Sequence, residues 1–275
     1  MATQLTHASW LKKKKGVAVS ADGKAIAIYH LRVDNLDKAA LSAWAKHFRE
    51  HYCLDSKLDR LRQGTGKSRS DFLLDMVFPS ASEDFGPATR SGDFAEILVA
   101  DLLESKFGYW VPRFRYNDKM VRNESPKGTD ILGFKLAPGS PGSPSPKDIL
   151  VAYESKAQMS GAKALDRLQD AVNDSSKDKW RLGESLHALK RRLIEQDKDL
   201  DADKVQRFQE GINVPYVRQS GAAAVLCSSV FDVEVLQKTD CSGHENQSEL
   251  NLIVVHSAEL MTLVHSLYKR SANEA

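Results

Sequence analysis

The sequence predicts an α/β fold: a mixed sheet flanked by helices, with a small N-terminal accessory α/β region over residues 1–85 and the main domain over residues 86–275. Three observations predict it. Short apolar runs of strand length recur along the chain, at ILGFKL (131–136), DILVAYE (148–154), AAAVLC (222–227) and NLIVVH (251–256). Charged, amphipathic stretches of helix length separate or follow them. The first two runs are joined by PGSPGSPSP (138–146), which contains only Pro, Gly and Ser and so marks an antiparallel hairpin rather than a crossover.

The elements follow in order. Lys24–Val33 alternates well enough to be a strand. Asp34, Asn35 and Asp37 then precede a helix over Lys38–His51, in which Ala40, Leu41, Trp44 and Phe48 recur at helical spacing. Asp71–Phe78 fits a second strand or a short helix, and Pro79 with SASEDFGPATRSG after it reads as a loop or linker. From Gly92 to Phe107 the stripe Phe94, Ile97, Leu98, Leu102 and Phe107 predicts a helix that Gly108 stops. The next stretch, YWVPRFRY, is strand-like. After Lys156, helices are expected over Lys163–Asn173, Lys177–Gln196 and Asp203–Gln209. Ala222–Cys227 and Asn251–His256 read as buried strands, and Ala258–Arg270 as a closing amphipathic helix.

Composition narrows the functional classes. No apolar run approaches the roughly 20 residues a membrane span needs, so no membrane partner is expected. MATQLTHASWLKKKKG has four lysines with no apolar run behind them, unlike a secretory leader. Cys53, Cys227 and Cys241 lie far apart with no CxxC pair, which argues against a zinc knuckle and suggests a reducing cytoplasm. The net charge of +2 is low for a protein that lives on non-specific phosphate contacts alone, although Lys12–Lys15 and Arg60–Arg69 are locally basic.

The chemistry concentrates on the hairpin. Pairing Leu136 with Asp148 puts Asp130 opposite Glu154. Glu154, Lys156 and Gln158 alternate along one face of the second strand. Two carboxylates and an ammonium then converge at one end of the hairpin. Burying two carboxylates together is costly unless a cation or proton compensates. Hard oxygen ligands with no His or Cys beside them favour Mg²⁺, or Mn²⁺, over zinc. Asp130 and Glu154 are the expected ligands, with the main chain of Ser155 as a further oxygen donor and Glu96, on the preceding helix, as a fourth member. Glu104 rivals Glu96 on that helix, and Asp93 is placed as an N-terminal dipole or capping residue. Lys156 would orient the attacking water or stabilise developing charge, and Gln158 would hold that water or contact the phosphate backbone.

The order of a Glu-bearing helix, GTD (128–130) and a strand ending in ESK (154–156) resembles the PD-(D/E)xK superfamily of restriction-endonuclease-like folds. The proline of that pattern is absent. RSGDFAEILVADLLE, KGTDILGF and VAYESKAQ are, more closely, similar to the HamA family, the nuclease component of Hachiman anti-phage defence. The resemblance spans most of the chain, with its diagnostic residues between 90 and 158. It implies a metal-dependent DNase that works with a HamB-like helicase subunit, which holds it in check until infection or DNA damage is sensed.

GTGKS (64–68) lacks the leading glycine and apolar strand of a phosphate-binding loop. No GxSxG is present. The histidines show no HExxH and no paired metal spacing by this reading. Two rival functions stay open at this point: a nuclease-like interaction module without catalysis that regulates a partner, and a nuclease acting on RNA.

Overall fold

The computed structural model describes residues 5–275 except 17, 114, 118, 140, 141, 211 and 212, and the backbone but not the side chains of residues 178–180. Among the described residues, seven strands form one mixed sheet: β1 (Leu11–Lys13), β2 (Ala18–Val19), β3 (Ala25–Leu31), β4 (Ile131–Lys135), β5 (Ile149–Gln158), β6 (Val217–Cys227) and β7 (Leu250–Ser257). The order is β1-β3-β7-β6-β5-β4, with β2 also on β3. The four central strands β3, β7, β6 and β5 run parallel, while β4, β1 and β2 pair antiparallel. The helices are α1 (Lys38–Glu50), α2 (Asp55–Arg62), α3 (Arg69–Phe72), α4 (Gly86–Phe107), α5 (Arg167–Ser175), α6 (Asp178–Ile194), α7 (Asp199–Gln209), α8 (Val233–Gln237) and α9 (Leu260–Asn273). This is the expected mixed sheet flanked by helices. No helix among the described residues is long and apolar enough to cross a membrane.

Strand alternation divides the core. On β6, Ala223, Val225 and Cys227 join the layer that contains α1, α4 and α9, while Ala222, Ala224 and Leu226 join the layer under α5 and α8. A third cluster packs Leu182, Leu186, Leu189 and Leu193 of α6 and Val205 and Phe208 of α7 against Phe134 and Leu150 of the hairpin. A buried ion pair pins α7 there: Arg207 Nε donates to Asp148 Oδ2 at 2.9 Å, and Asp148 Oδ1 accepts from the Ala137 N–H, closing the hairpin loop. From the first 85 residues, β3 lies inside the sheet beside β7, and Trp44 and Phe48 of α1 belong to the same cluster as Phe94 of α4.

Local chemistry sets the ends of the elements. Asp37 caps α1, its carboxylate accepting from the Ala40 N–H at 2.9 Å. Gly108, at φ 69°, ends α4 in the left-handed conformation as expected. The start of α4 differs. It begins at Gly86 rather than Gly92, because Pro87 sits in its first turn and its polar residues turn inward. Thr89 Oγ1 donates to the Asn123 carbonyl and Arg90 Nε to the Pro79 carbonyl, so this turn is buried by hydrogen bonds that an apolar stripe does not register. Asp93 is therefore inside the helix and not its cap. Asp71–Phe78 is helical, as α3 and a following π turn. The helix expected from Lys163 begins at Arg167.

The strand expected at YWVPRFRY is not formed as one. A single bridge joins Trp110 to Phe134, with mutual 2.8 Å hydrogen bonds. Pro112 has no N–H with which to continue a ladder, and Arg113 and Arg115 turn inward to acidic partners. Phe114 of that stretch, Ser140 and Pro141 of the hairpin loop, and the first four residues of the N-terminal lysine-bearing segment lie outside the described residues.

Two glycines provide a stability test. A Cβ on Gly221 of β6 would stand 2.3 Å from the Tyr153 ring on β5, whereas one on Gly183 of α6 meets nothing within 4 Å. Gly221→Ala should lower unfolding stability by about 1–3 kcal/mol through overpacking. Gly183→Ala should raise it by about 0.5–1 kcal/mol through helix propensity. Urea unfolding of the two variants checks both signs.

Candidate active site

The hairpin register is the one counted from the sequence. Ile131 pairs with Tyr153 and Lys135 with Ile149, so the same count carries Asp130 to Glu154 and Leu136 to Asp148. Glu96, Asp130, Glu154, Ser155, Lys156 and Gln158 all line one open cavity of about 1250 Å³ between α4, the end of the hairpin, α5 and α6. Of the two α4 carboxylates that competed for the site, Glu96 is the one in it. Glu104 faces Arg113 at 2.6 Å and accepts from the Val111 N–H. Asp93 is buried deeper in α4, where it accepts from the Tyr52 hydroxyl at 2.7 Å and pairs with Lys119.

The local turn aims Asp130. Gly128, just before Thr129 and Asp130, adopts φ +101°, a conformation L side chains rarely take. The Thr129 N–H donates to Ser185 Oγ of α6 at 3.2 Å. Asp130 Oδ2 accepts from the Ser155 N–H at 3.1 Å. The N–H and C=O of one strand residue leave the same edge, so the Ser155 carbonyl also faces the side of Asp130, past the end of β4.

Arg115 is the cavity-lining residue that the sequence did not single out. Its Nε stands 2.9 Å from Glu96 Oε2 and its Nη2 donates to Asp130 Oδ1 at 2.9 Å. It also donates to the main-chain carbonyls of Pro126 at 2.8 Å and Thr129 at 2.7 Å. One guanidinium thus charges the site and folds the loop that carries Asp130. The signal available in the sequence was the Arg-x-Arg of RFR, an odd pair for a strand that ends beside three acids.

Burial is the dominant influence on Glu96. It pushes the carboxyl up to about 8, against the pull of Arg115, with the Asp130 charge adding to the rise. The Tyr116 hydroxyl donates to the same carboxylate. For Lys156, burial opposes the charge, but Asp174 of α5 sits 2.6 Å from Nζ and outweighs it, so the ammonium is held above its usual value. Gln158 has its amide committed elsewhere. Nε2 donates to the Lys163 carbonyl at 2.8 Å and Oε1 accepts from the Leu165 N–H at 3.0 Å, fastening the loop before α5. That loop is why α5 starts late.

The donor chemistry suits a hard divalent cation: carboxylates of Asp130 and Glu154 on facing strand ends, the Ser155 carbonyl on the same edge, and no His or Cys lining the cavity. The three carboxylates do not converge as tightly as a preformed cage. Among the described residues, the group of three whose possible ligand atoms all lie within 4.8 Å of one another is His7, His47 and Asp101. Arg115 stands between Glu96 and Asp130 instead. The site therefore fits a cation held mainly from the hairpin, with Glu96 and Arg115 behind it.

A family model for HamA matches residues 6–271, nearly the whole chain. The chain belongs to the HamA family. That membership associates it with the Hachiman anti-phage defence system. No curated protein and no solved structure matches the chain. The HamA match covers both the hairpin with its acidic and lysine residues and the preceding segment that contributes β3 and α1.

Glu96 gives a pH test with a definite sign. A carboxyl raised in the folded state stabilises the fold fully below its unfolded value, and that contribution is lost as pH rises through the folded value of about 8. In EDTA, the wild type should lose stability between about pH 4.5 and 8 relative to Glu96→Gln. Urea unfolding at pH 5, 7 and 9 measures the gap, and an unchanged gap across that range contradicts the assignment.

Proposed function

We propose that the chain is a metal-dependent DNA nuclease that hydrolyses phosphodiester bonds in Hachiman defence together with a helicase partner. The observation that carries this reading is the β4–β5 register. It sets Asp130 opposite Glu154 with Lys156 two residues on, all on one cavity. Asp130, Glu154 and the Ser155 carbonyl would hold Mg²⁺ or Mn²⁺, which supplies Lewis acidity toward a phosphoryl oxygen and acidifies a bound water.

The chain's own groups do the rest. Lys127, Lys163, Arg167 and Arg181 line the same cavity and provide cationic contacts for a phosphate backbone. Lys156, kept protonated by Asp174, stabilises charge that builds on the phosphate oxygens. Arg115 holds Asp130 in place and offsets its charge. Glu96, raised to about 8, keeps a proton near neutrality and gives it up when local positive charge increases. Gln158 positions the wall of the cavity through the 163–165 loop. Six of the 39 Lys and Arg residues line this cavity beside five carboxylates, and the whole chain carries only +2, which supports delivery to DNA by a partner rather than by long-range attraction.

The test is cleavage of plasmid and linear DNA in Mg²⁺ and in EDTA, with and without a co-expressed helicase. Glu154→Ala and Lys156→Ala should each lower cutting about 100-fold or more, on the scale of losing one electrostatic contact to a transition state. Parallel incubation with RNA separates the two substrates. Wild type and variants equally inert with the helicase present would replace the nuclease reading by that of a partner-regulating module.

A further inference from the structure

Away from the cavity, three imidazoles and a carboxylate meet inside the protein. His7 comes from the 3₁₀ turn Thr6–Trp10, His47 from α1, His51 from the residue after α1, and Asp101 from α4. His7 Nε2 lies 2.8 Å from Asp101 Oδ2, and His47 Nε2 lies 2.9 Å from Asp101 Oδ1. His51 Nε2 lies 3.2 Å from His47 Nε2. His7, His51 and Asp101 are buried, and His47 is the partly exposed member. His47 and His51 stand one helical turn apart, a paired spacing that the sequence reading passed over.

From this arrangement we infer a structural zinc site formed by His7, His47, His51 and Asp101. Three features support it. First, protons serve this cluster poorly. A neutral imidazole carries one N–H, yet His47 Nε2 faces both a carboxylate oxygen and another Nε2. Lone pairs directed at one cation remove that competition. Second, the spacing is right. Ligand atoms on a tetrahedral zinc about 2.0–2.1 Å away stand about 3.3 Å apart; those of His7, His47 and Asp101 already lie within 4.8 Å of one another, and His51, 3.2 Å from His47, would join them by a turn of its ring. Third, the surroundings are those of a closed, oriented site. The His7 ring stacks on Trp44 at 4.9 Å. Asp101 is held by Arg113 at 2.8 Å, and Arg113 is in turn neutralised by Glu104. Asp101 and Glu104 against Arg113 leave one negative charge for the incoming ion. The nitrogen-rich donor set selects zinc over magnesium, the reverse of the hairpin site. An ion can enter from a cleft of about 290 Å³ that His47 and His51 help to line.

The site would clamp the N-terminal turn, α1 and α4 together. It lies behind the candidate active site: Asp101 shares α4 with Glu96, Arg113 is two residues before Arg115, and His51 lines a small cavity with Glu96 and Asp130.

The experiment is metal analysis of the full chain purified without chelator, followed by removal of the metal and titration with Co²⁺. One zinc per chain should remain through gel filtration in Mg²⁺ buffer. Co²⁺ should give the intense visible bands of a tetrahedral ion. His47→Ala and His51→Gln should each weaken uptake at least about tenfold, while Glu154→Ala should leave it unchanged. Removing a buried ligand can unfold the chain, so the wild-type cobalt spectrum, which needs no variant, decides on its own. Folded wild type that takes up no zinc and gives only the pale spectrum of octahedral cobalt overturns the site. So does uptake that Glu154→Ala abolishes and the histidine variants do not.

Discussion

Carboxylates held close together out of water repel one another, and this repulsion is what the neighbourhood of the hairpin is arranged to manage. Glu96 and Glu154 are buried, and Asp130 is largely so. Arg115 answers two of the three directly, and its remaining N–H groups hold the carbonyls of the loop that presents Asp130. Removing that guanidinium would leave both the charge and the loop unsupported. The Tyr116 hydroxyl is another answer, donating to the Glu96 carboxylate, and burial adds a pull toward protonation of that carboxyl against the Arg115 charge. The divalent cation proposed for the hairpin end would be a further answer to the same electrostatic problem and would couple the site's chemistry to its stability.

The hairpin was legible because its determinants are local. A loop made only of Pro, Gly and Ser fixed where the turn lies, and a side-chain period of two then set which residues face each other. The choice between Glu96 and Glu104 stayed open in the sequence, and it is the fold that puts Glu96 on the cavity and Glu104 against Arg113. What could not be read depends on distant partners. The strand-like text of YWVPRFRY is overridden by Pro112 and by two arginines that find acids on α4 and beside β4. The first turns of α4 are buried by polar contacts with Pro79 and Asn123, which leave no periodic signature. Gln158 shares a face with Glu154 and Lys156, as alternation requires, yet a loop five residues on occupies its amide. The placement of β3 beside β7 joins segments more than 200 residues apart, beyond the reach of any pattern in the sequence.

The same logic bears on how the chain meets its substrate. A near-neutral protein with six cationic side chains on the cavity, balanced by five carboxylates, has little long-range attraction for phosphate. Family membership supplies the defence context, and the geometry of Asp130, Glu154 and Lys156 supplies the proposed chemistry. Neither alone would have been specific, since an isolated Glu-x-Lys on a strand is most often a solvated salt bridge.

The most direct test of the central claim is a crystal structure of the chain soaked in Mn²⁺, with the ion located by its anomalous scattering. The account predicts a peak at the end of the hairpin, about 2.1 Å from carboxylate oxygens of Asp130 and Glu154. The absence of any ion there at saturating Mn²⁺, with Arg115 still bridging Glu96 and Asp130, would contradict it.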